Sequence, residues 1–169
     1  MALVFGYGSL VSRGDVRPAT LTGWRRTWGV AMDNTVDLPG YKHYEEDGGA
    51  RPALMVAFLD IEEAPGREVN GFVFETDDLA AFDRRERNYV RVEVETTAGR
   101  AWTYTGSPDG RARLARGVAE GRCVIPRHYV MRVLAGFRAL GPGELDRFEA
   151  TTDPLPGPLR DLTLIPHAE

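Results

Sequence analysis

A run of strictly alternating apolar and charged residues between Tyr89 and Thr97 constrains the fold more than any other feature of the sequence. The apolar positions inside the run are valines, and Arg or Glu stands between them, which is the period-two pattern of a half-buried strand. Ala98-Gly99 then provides a turn, and Arg100–Thr105 continues the alternation with Trp and Tyr. The pattern predicts an antiparallel hairpin, so the chain must contain a sheet that packs one face on a core.

The remaining apolar spacing predicts further strands and helices. Strands are expected at Ala2–Tyr7, Gly23–Asp33, Pro52–Ile61 and Val69–Glu75, with a turn at Pro65-Gly66 between the last two. Helices are expected at Thr76–Arg87, with Thr76 or Asp77 as N-cap, at Pro126–Leu140 and at Pro142–Phe148. The strands are predicted to be connected by hairpins and not by βαβ crossovers. The predicted class is therefore α+β: a small mixed or largely antiparallel β-barrel or sheet with flanking helices.

Three regions carry no regular apolar pattern. Residues Asn34–Arg51 are rich in Gly, Asp and Glu and are expected to form a long loop. Residues 111–127 are interpreted as a polar connection whose arginines form a solvated face. The proline-rich tail after Pro154 is expected to be extended and to lie on the surface or fray. The sequence assigns no functional role to the first two regions.

Length and charge exclude several classes of protein. The 169 residues fit a single domain spanning 1–169. The formal net charge is −4 and the positive residues are dispersed, so no nucleic-acid partner is expected. The N-terminus does not resemble a signal peptide, and no apolar run approaches the roughly 18 residues of a membrane span. We therefore expect a cytoplasmic protein that does not bind a membrane, while the oligomeric state stays open.

The histidines and the cysteine do not point to a metal or a cofactor. His43, His128 and His167 are far apart and lack ligand spacing, so no metal site is expected. His128 is interpreted as a surface or interface residue. Cys123 is the only cysteine, so an intramolecular disulfide is impossible, and we interpret it as a small buried residue rather than a nucleophile.

Tyr7-Gly8-Ser9-Leu10, at the end of the first predicted strand, is one candidate site. Glycines on both sides of Tyr7 allow the backbone to approach a ligand closely and leave N–H groups free to bind an anion. A simple turn that ends the strand explains the same residues. The glycine spacing excludes a Walker loop and a dinucleotide fingerprint.

Glu86 is the second candidate. At about 100° per residue it shares a helical face with Leu79, Phe82 and Asp83, and it lies in the final turn, where the helix dipole disfavours a negative charge. Such a carboxylate should have a raised pKa, as a general base working near neutral pH requires. A structural ion pair with Arg87, Arg91 or another arginine is the alternative explanation.

Three segments together resemble the gamma-glutamylcyclotransferase-like superfamily of AIG2-like and ChaC-like proteins. Phe5-Gly-Tyr-Gly-Ser-Leu10 resembles the YGSL motif of that family. Leu79–Glu86 and the following Asn88–Val94 resemble its helix with the catalytic glutamate and the next strand. Val124–Tyr129 is similar to the segment in which a Pro and then a Tyr begin the last long helix. The three segments occur in the family's order between residue 5 and about residue 140.

The resemblance implies an enzyme that cyclises the gamma-glutamyl group of an amide or peptide to 5-oxoproline, an acyl transfer or lyase-type reaction that uses no metal or cofactor. It implies Glu86 as the catalytic base and Tyr7, Gly8, Ser9 and Leu10 as the substrate loop. Tyr129 becomes a candidate hydrogen-bond partner for the substrate or for Glu86. The implied partner is a small gamma-glutamyl compound.

Two other functions are compatible with the same residues. One is a non-catalytic module that binds a small acidic metabolite, and the other is a lyase that removes a gamma-glutamyl protecting group in specialised metabolism. The ChaC-like branch typically follows YGSL with a Trp two positions later, whereas Val11-Ser12 stands here, so that motif does not support glutathione as substrate. The sequence does not identify the amine that is released.

Overall fold

Two long strands, β2 (Arg17–Asp33) and β4 (Met55–Thr76), form the centre of the sheet in the computed structural model, which describes residues 1–169. They pair antiparallel from Arg17 opposite Val73 to Asp33 opposite Met55. The prediction of two strands joined by a turn at Pro65-Gly66 is wrong, because β4 continues through this segment. Residues 64–67 leave the β2 pairing at a register shift, where Gly23 and Gly66 both have positive φ angles.

Five shorter strands complete a seven-stranded sheet: β1 (Ala2–Gly6), β5 (Tyr89–Thr96), β6 (Gly99–Gly106), β7 (Cys123–Pro126) and β8 (Leu159–Arg160). The hydrogen-bonded order is β5-β6-β1-β4-β7-β8, and β2 also pairs with β4. The predicted hairpin is confirmed, with Tyr89 opposite Gly106 and Thr96 opposite Gly99. Strand β1 lies between β6 and β4, so the segment that follows Gly6 leaves the middle of the sheet.

Four helices pack on the sheet: α1 (Leu79–Arg85), α2 (Pro108–Ala119), α3 (Arg127–Leu140) and α4 (Glu144–Thr151). The α+β class is therefore confirmed. The N-cap of α1 is Asp78, whose side chain accepts a hydrogen bond from Ala81 N–H, and not Thr76 or Asp77. No helix combines the length and the apolar character that crossing a membrane requires.

Helix α2 corrects the prediction of a solvated, arginine-rich connection at 111–127. Ser107 accepts a hydrogen bond from Gly110 N–H, and Pro108 opens the helix, a favourable start that the arginine pattern obscured. Arg111 donates to the buried carboxylate of Asp60, with 3.1 Å between Nε and Oδ2. Arg113 likewise donates to the Ala31 carbonyl at 2.8 Å, so these two arginines bind buried acceptors and do not simply face solvent.

A second sheet joins two segments that were expected to be irregular. Strand β3 (Lys42–Glu45) lies inside the predicted 34–51 loop, and β9 (Thr163–Pro166) lies in the tail that was expected to be extended on the surface. They pair antiparallel, with His43 opposite Ile165. The tail is therefore fixed against the 34–51 segment, and both contribute to the cavity described below.

The core holds the segment that follows β1 and the last turn of α3 together. Phe72 of β4 contacts Phe137 of α3, with ring centroids 6.2 Å apart, and Phe137 contacts Phe148 of α4 at 4.6 Å. A Cβ at Gly136 would lie 2.2 Å from Val11 Cγ1, so glycine is what allows α3 to approach the segment after β1 this closely. This packing fixes the loop that follows Gly6.

Candidate active site

The loop that follows β1 is built from a tyrosine, a glycine and one turn of 3-10 helix at Ser9–Ser12. The N–H of Val11 donates to the Gly8 carbonyl at 3.1 Å, which closes the turn. The carbonyl of Tyr7 accepts a hydrogen bond from Arg26 Nε at 3.0 Å. Because a trans peptide directs its C=O and N–H in opposite directions, the N–H of Gly8 points away from Arg26.

Arg26 is fully buried beneath this loop. Its guanidinium lies over the ring of Phe148, 4.4 Å from the centroid, and donates to Thr151 and Thr152 at 3.1 Å each. It also donates to the backbone carbonyl of Asn70. Burial lowers the pKa of Arg26 to about 9, so the side chain remains a cation at neutral pH. The carbonyl of Tyr7 is therefore held by a buried cation. Contacts with β4 and with the C-terminal end of α4 fix that cation in turn.

Glu86 caps the C-terminus of α1. Its N–H donates to the Phe82 carbonyl at 2.8 Å, and its own carbonyl accepts from Tyr89 N–H at 3.0 Å, so both ends of the residue are fixed. Leu79 and Phe82 pack on the core, as the predicted helical face requires. The Glu86 side chain is 18% exposed, and its one ion pair is with Arg85, 3.5 Å from Nε to Oε1. Arg87 and Arg91 do not contact Glu86, so the alternative of a structural ion pair is met only by Arg85, an arginine of α1.

The surroundings of Glu86 favour its neutral form. Burial raises the pKa of the carboxyl, while the positive charges of Arg85 and Lys42 act in the opposite direction without cancelling the effect of burial. A glutamate with a raised pKa can take up a proton and return it near neutral pH. Burial of Glu86 thus shifts its pKa in the direction expected from the sequence, while its role as the base stays a prediction.

A narrow recess brings all six candidate residues of the sequence together. Its walls include Tyr7, Gly8, Ser9, Leu10, Glu86 and Tyr129. The Tyr7 hydroxyl donates to the Tyr104 carbonyl at 2.6 Å, so Tyr7 lines the recess with its ring and has no free hydroxyl proton to offer. A Cβ placed on Gly8 would lie 3.5 Å from the hydroxyl of Tyr129, so that hydroxyl stands directly over the loop.

The recess shares part of its wall with a cavity of about 940 Å³. Ser9, Glu86, Tyr89 and Tyr129 line both spaces and so form the boundary between them. The volume lies within the roughly 300–1,000 Å³ that pockets for small molecules span. Glu86 therefore lies where a ligand in the cavity would meet the backbone of the loop.

Two tyrosines at this boundary are held in their un-ionised form. Burial raises the pKa of Tyr129 and of Tyr89 well above the ordinary tyrosine value, and the charge of Glu86 adds to the effect. The Tyr89 hydroxyl donates to the Leu59 carbonyl at 2.6 Å. Both phenols are therefore suited to hydrogen bonding and not to acting as a base.

Several residues of the cavity were not singled out from the sequence. They come mainly from the 34–51 segment, from α1 and from the tail: Tyr41, Lys42, Tyr44, Arg84, Arg85, Arg132, Leu164 and Pro166. His128, interpreted as a surface or interface residue, also lines this cavity. The sequence did contain one indication of Lys42, because it is the only lysine and lies between Tyr41 and Tyr44.

The residues do not form a metal site in this structure, where no three His, Cys, Asp or Glu side chains cluster. His43 and His167 contact each other, with 2.8 Å between Nδ1 and Nε2, but neither lines the cavity. What the recess offers chemically is a proton acceptor at Glu86, backbone donors in the loop and a tyrosine hydroxyl above them.

Comparisons with known proteins bear on the family and on the fold. The family model described as gamma-glutamyl cyclotransferase, AIG2-like, matches residues 4–122. A solved structure named gamma-glutamyl cyclotransferase superposes with a TM-score of 0.51 at 16% identity, over 94% of this chain and 93% of that chain. An uncharacterized protein from Homo sapiens superposes with a TM-score of 0.53, also at 16% identity and over the same shares of the two chains. At this identity the likeness concerns the fold. No curated protein matches the sequence.

Proposed function

The chain belongs to the gamma-glutamyl cyclotransferase, AIG2-like family, and we propose that it is an enzyme that converts a gamma-glutamyl amide or peptide to 5-oxoproline and a free amine. The observation that carries the proposal is the half-buried Glu86 with a raised pKa, at the boundary between the loop recess and the large cavity. A carboxyl group at such a place, whose one ion pair is with the largely exposed Arg85, is a candidate for acid–base chemistry.

Glu86 is proposed as the base that starts the reaction. The α-amino group of the substrate has an ordinary pKa of roughly 8, so it is mostly protonated at neutral pH and cannot attack. Glu86 accepts a proton from it, and the free amine attacks the γ-carbonyl carbon of the same glutamyl group. The attack closes a five-membered ring, and holding both ends of one chain together removes much of the entropic barrier.

The ring intermediate then collapses and the bond to the leaving nitrogen breaks. Glu86 returns its proton to that nitrogen, and the second proton lost by the attacking nitrogen ends on the released amine. The N–H groups of the 8–10 loop are proposed to stabilise the oxyanion or the substrate carboxylate. Tyr129 is proposed as a hydrogen-bond donor to the substrate. Because the balance of atoms needs no water, the reaction is a cyclisation and not a hydrolysis.

The experiment measures 5-oxoproline by mass spectrometry after incubation with glutathione, gamma-glutamyl-alanine, gamma-glutamyl-lysine and a gamma-glutamyl-amine. The variants are Glu86→Gln and, as a matched control, Glu149→Gln, an exposed glutamate of α4 that makes no ion pair. We expect product from the wild type and from the control, and none from Glu86→Gln. Equal turnover by Glu86→Gln would contradict the proposed base.

The same panel distinguishes the two other functions. A binding module would retain a gamma-glutamyl ligand without forming product, which native mass spectrometry detects. A deprotecting lyase shares the chemistry and differs only in the released part of its substrate, so it would form little or no product from the simple gamma-glutamyl-amino acid of the panel. Product from a simple gamma-glutamyl-amino acid therefore favours the general enzyme.

A further inference from the structure

Lys42 is a partly buried cation that forms no ion pair within the protein. Its ammonium lies over the ring of Phe58 at 4.6 Å from the centroid, and over the rings of Tyr41 and Tyr44 at 5.6 and 5.8 Å. It makes no ion pair, whereas the neighbouring Arg85 pairs with Glu86 and Arg87 donates to the Pro39 carbonyl at 2.7 Å. Among the cations of the cavity wall, Lys42 lies over three aromatic rings, whereas Arg87 lies over the Tyr41 ring alone.

Enclosure without a counter-ion is unfavourable for an ammonium group. A buried charge is normally paired, because contacts with aromatic faces restore only part of the hydration that burial removes. Burial accordingly lowers the pKa of Lys42 to about 8, and the charge of Glu86 offsets only part of this effect. An anion that enters the cavity would supply the missing partner.

The direction of the side chain follows from the pleat of β3. Side chains alternate along a strand, so Lys42 and Tyr44 face the cavity while His43 and Glu45 face away. The pairing of Lys42 with Pro166 of β9 fixes the backbone at this position. The cation is therefore presented by a paired strand and not by a mobile loop.

The position of Lys42 separates it from the loop recess. Lys42 lines the large cavity only, whereas Glu86 lines both spaces. A gamma-glutamyl group in the recess would leave the released part of the substrate on the Lys42 side of Glu86. Four arginines line this same cavity, at positions 84, 85, 87 and 132, and the only acids there are Glu86 and Glu169.

From this arrangement we infer that Lys42 binds a carboxylate on the part of the substrate that is released, and that it makes the enzyme select substrates carrying an acid there over neutral amides. The inference rests on the proposed function for the orientation of the substrate. It adds a specificity residue to the proposed site, which so far consists of the 7–10 loop, Tyr129 and Glu86. It also assigns a role to the 34–51 segment.

The test compares two ligands that differ in one group, gamma-glutamylglycine and gamma-glutamylglycinamide. We expect the wild type to show a kcat/KM at least tenfold higher for the acid. The near-isosteric Lys42→Met should lose this preference while kcat/KM for the glycinamide changes less than about threefold. Arg138→Gln, an exposed arginine on the outside of α3, is the control and should keep the preference.

Calorimetric binding to Glu86→Gln, with and without Lys42→Met, separates this inference from the proposed reaction. One outcome is that 5-oxoproline never forms, but gamma-glutamylglycine binds at least tenfold more tightly than gamma-glutamylglycinamide, and only when Lys42 is present. In that case the proposed reaction is wrong and the Lys42 site stands. If product forms but the wild type does not discriminate, the Lys42 site is wrong and the reaction stands. If Lys42→Met weakens both ligands equally, or if neither ligand binds, the inference is overturned.

Discussion

The buried guanidinium of Arg26 donates a hydrogen bond to the backbone carbonyl of Tyr7, with 3.0 Å between Nε and the oxygen. This contact orients the peptide between Tyr7 and Gly8, because the carbonyl that accepts from Arg26 and the N–H of Gly8 lie on opposite sides of that peptide. A residue of β2 deep in the core thus sets the direction of a backbone donor in the recess. Arg26 acts through the loop and is a positioning residue.

We predict that Arg26→Lys destabilises the protein and slows turnover. A lysine cannot reach Tyr7, Asn70 and the α4 threonines together, so several buried acceptors lose their donor, and the expected loss is at least about 3 kcal/mol of unfolding free energy. Urea unfolding measures the loss. The control is Arg25→Lys. Arg25 precedes Arg26, pairs with Glu62 and is 41% exposed, so this variant should lose less than about 1 kcal/mol of unfolding free energy. Similar losses for the two variants would contradict the role of Arg26.

Glu86→Gln should stabilise the protein at neutral pH although it removes activity. Burial raises the pKa of Glu86 in the folded protein above its unfolded value, so the folded state keeps a proton that the unfolded state has already lost. The unfolding free energy of the wild type therefore falls as pH rises through that interval. The variant has no such group, so its advantage should be present at pH 7 and absent below about pH 4, where the unfolded glutamate is also protonated.

Thermal unfolding of both proteins across this pH range measures the effect, with Glu149→Gln as the control that shows no pH-dependent difference. The activity of the wild type should fall on the acid side, because the protonated carboxyl cannot accept a proton. A Glu86→Gln variant that is less stable than the wild type at pH 7 would show that the carboxylate is structural.

The local patterns of the sequence were sufficient for the hairpin and for the position of Glu86. Valine alternation and an Ala-Gly turn specify β5 and β6 without help from the rest of the chain, and the apolar spacing of Leu79 and Phe82 places Glu86 on the inner side of α1. The YGSL loop required the family resemblance, because a glycine turn alone has several explanations. These predictions depend on residues that are close in the sequence.

Features that depend on distant residues were missed. Strand β3 has only four residues, and the strand that pairs with it lies in the tail, so His43 meets His167 across 124 positions of sequence. No local periodicity can reveal such a pair, and Lys42 was therefore left inside a predicted loop. Helix α2 was missed for a different reason, since its arginines suggested solvent whereas Arg111 and Arg113 bind buried acceptors.

Two glycines of the β1 segment should respond differently to alanine. A Cβ at Gly6 would lie 2.3 Å from the Phe72 ring, within the core, so Gly6→Ala should cost about 1–3 kcal/mol of unfolding free energy. A Cβ at Gly8 would meet Leu59 at 3.4 Å and the Tyr129 hydroxyl at 3.5 Å, which are ordinary contacts. Gly8→Ala should therefore cost less stability than Gly6→Ala.

The methyl group that Gly8→Ala introduces would nevertheless occupy part of the recess below Tyr129. We therefore expect Gly8→Ala to lower kcat/KM at least tenfold, while its unfolding midpoint stays closer to that of the wild type than the midpoint of Gly6→Ala does. Urea unfolding and the 5-oxoproline assay give the two values for each variant. A Gly8→Ala variant with full activity would show that the substrate does not approach this part of the loop.

The tail should control access to the cavity through the contact between His167 and His43. His167 Nδ1 contacts the Leu38 carbonyl at 2.8 Å and its Nε2 contacts His43 at 2.8 Å, while Leu164, Pro166 and Glu169 form part of the cavity wall. His167→Ala removes both contacts at the end of β9. We expect faster hydrogen exchange of the β3 amides and a several-fold rise in KM, with little change in global stability, because few core residues are involved. Thr163→Ala, an exposed position at the start of β9, should leave exchange and KM unchanged, and an unchanged β3 in His167→Ala would contradict a tail that is held by this histidine pair.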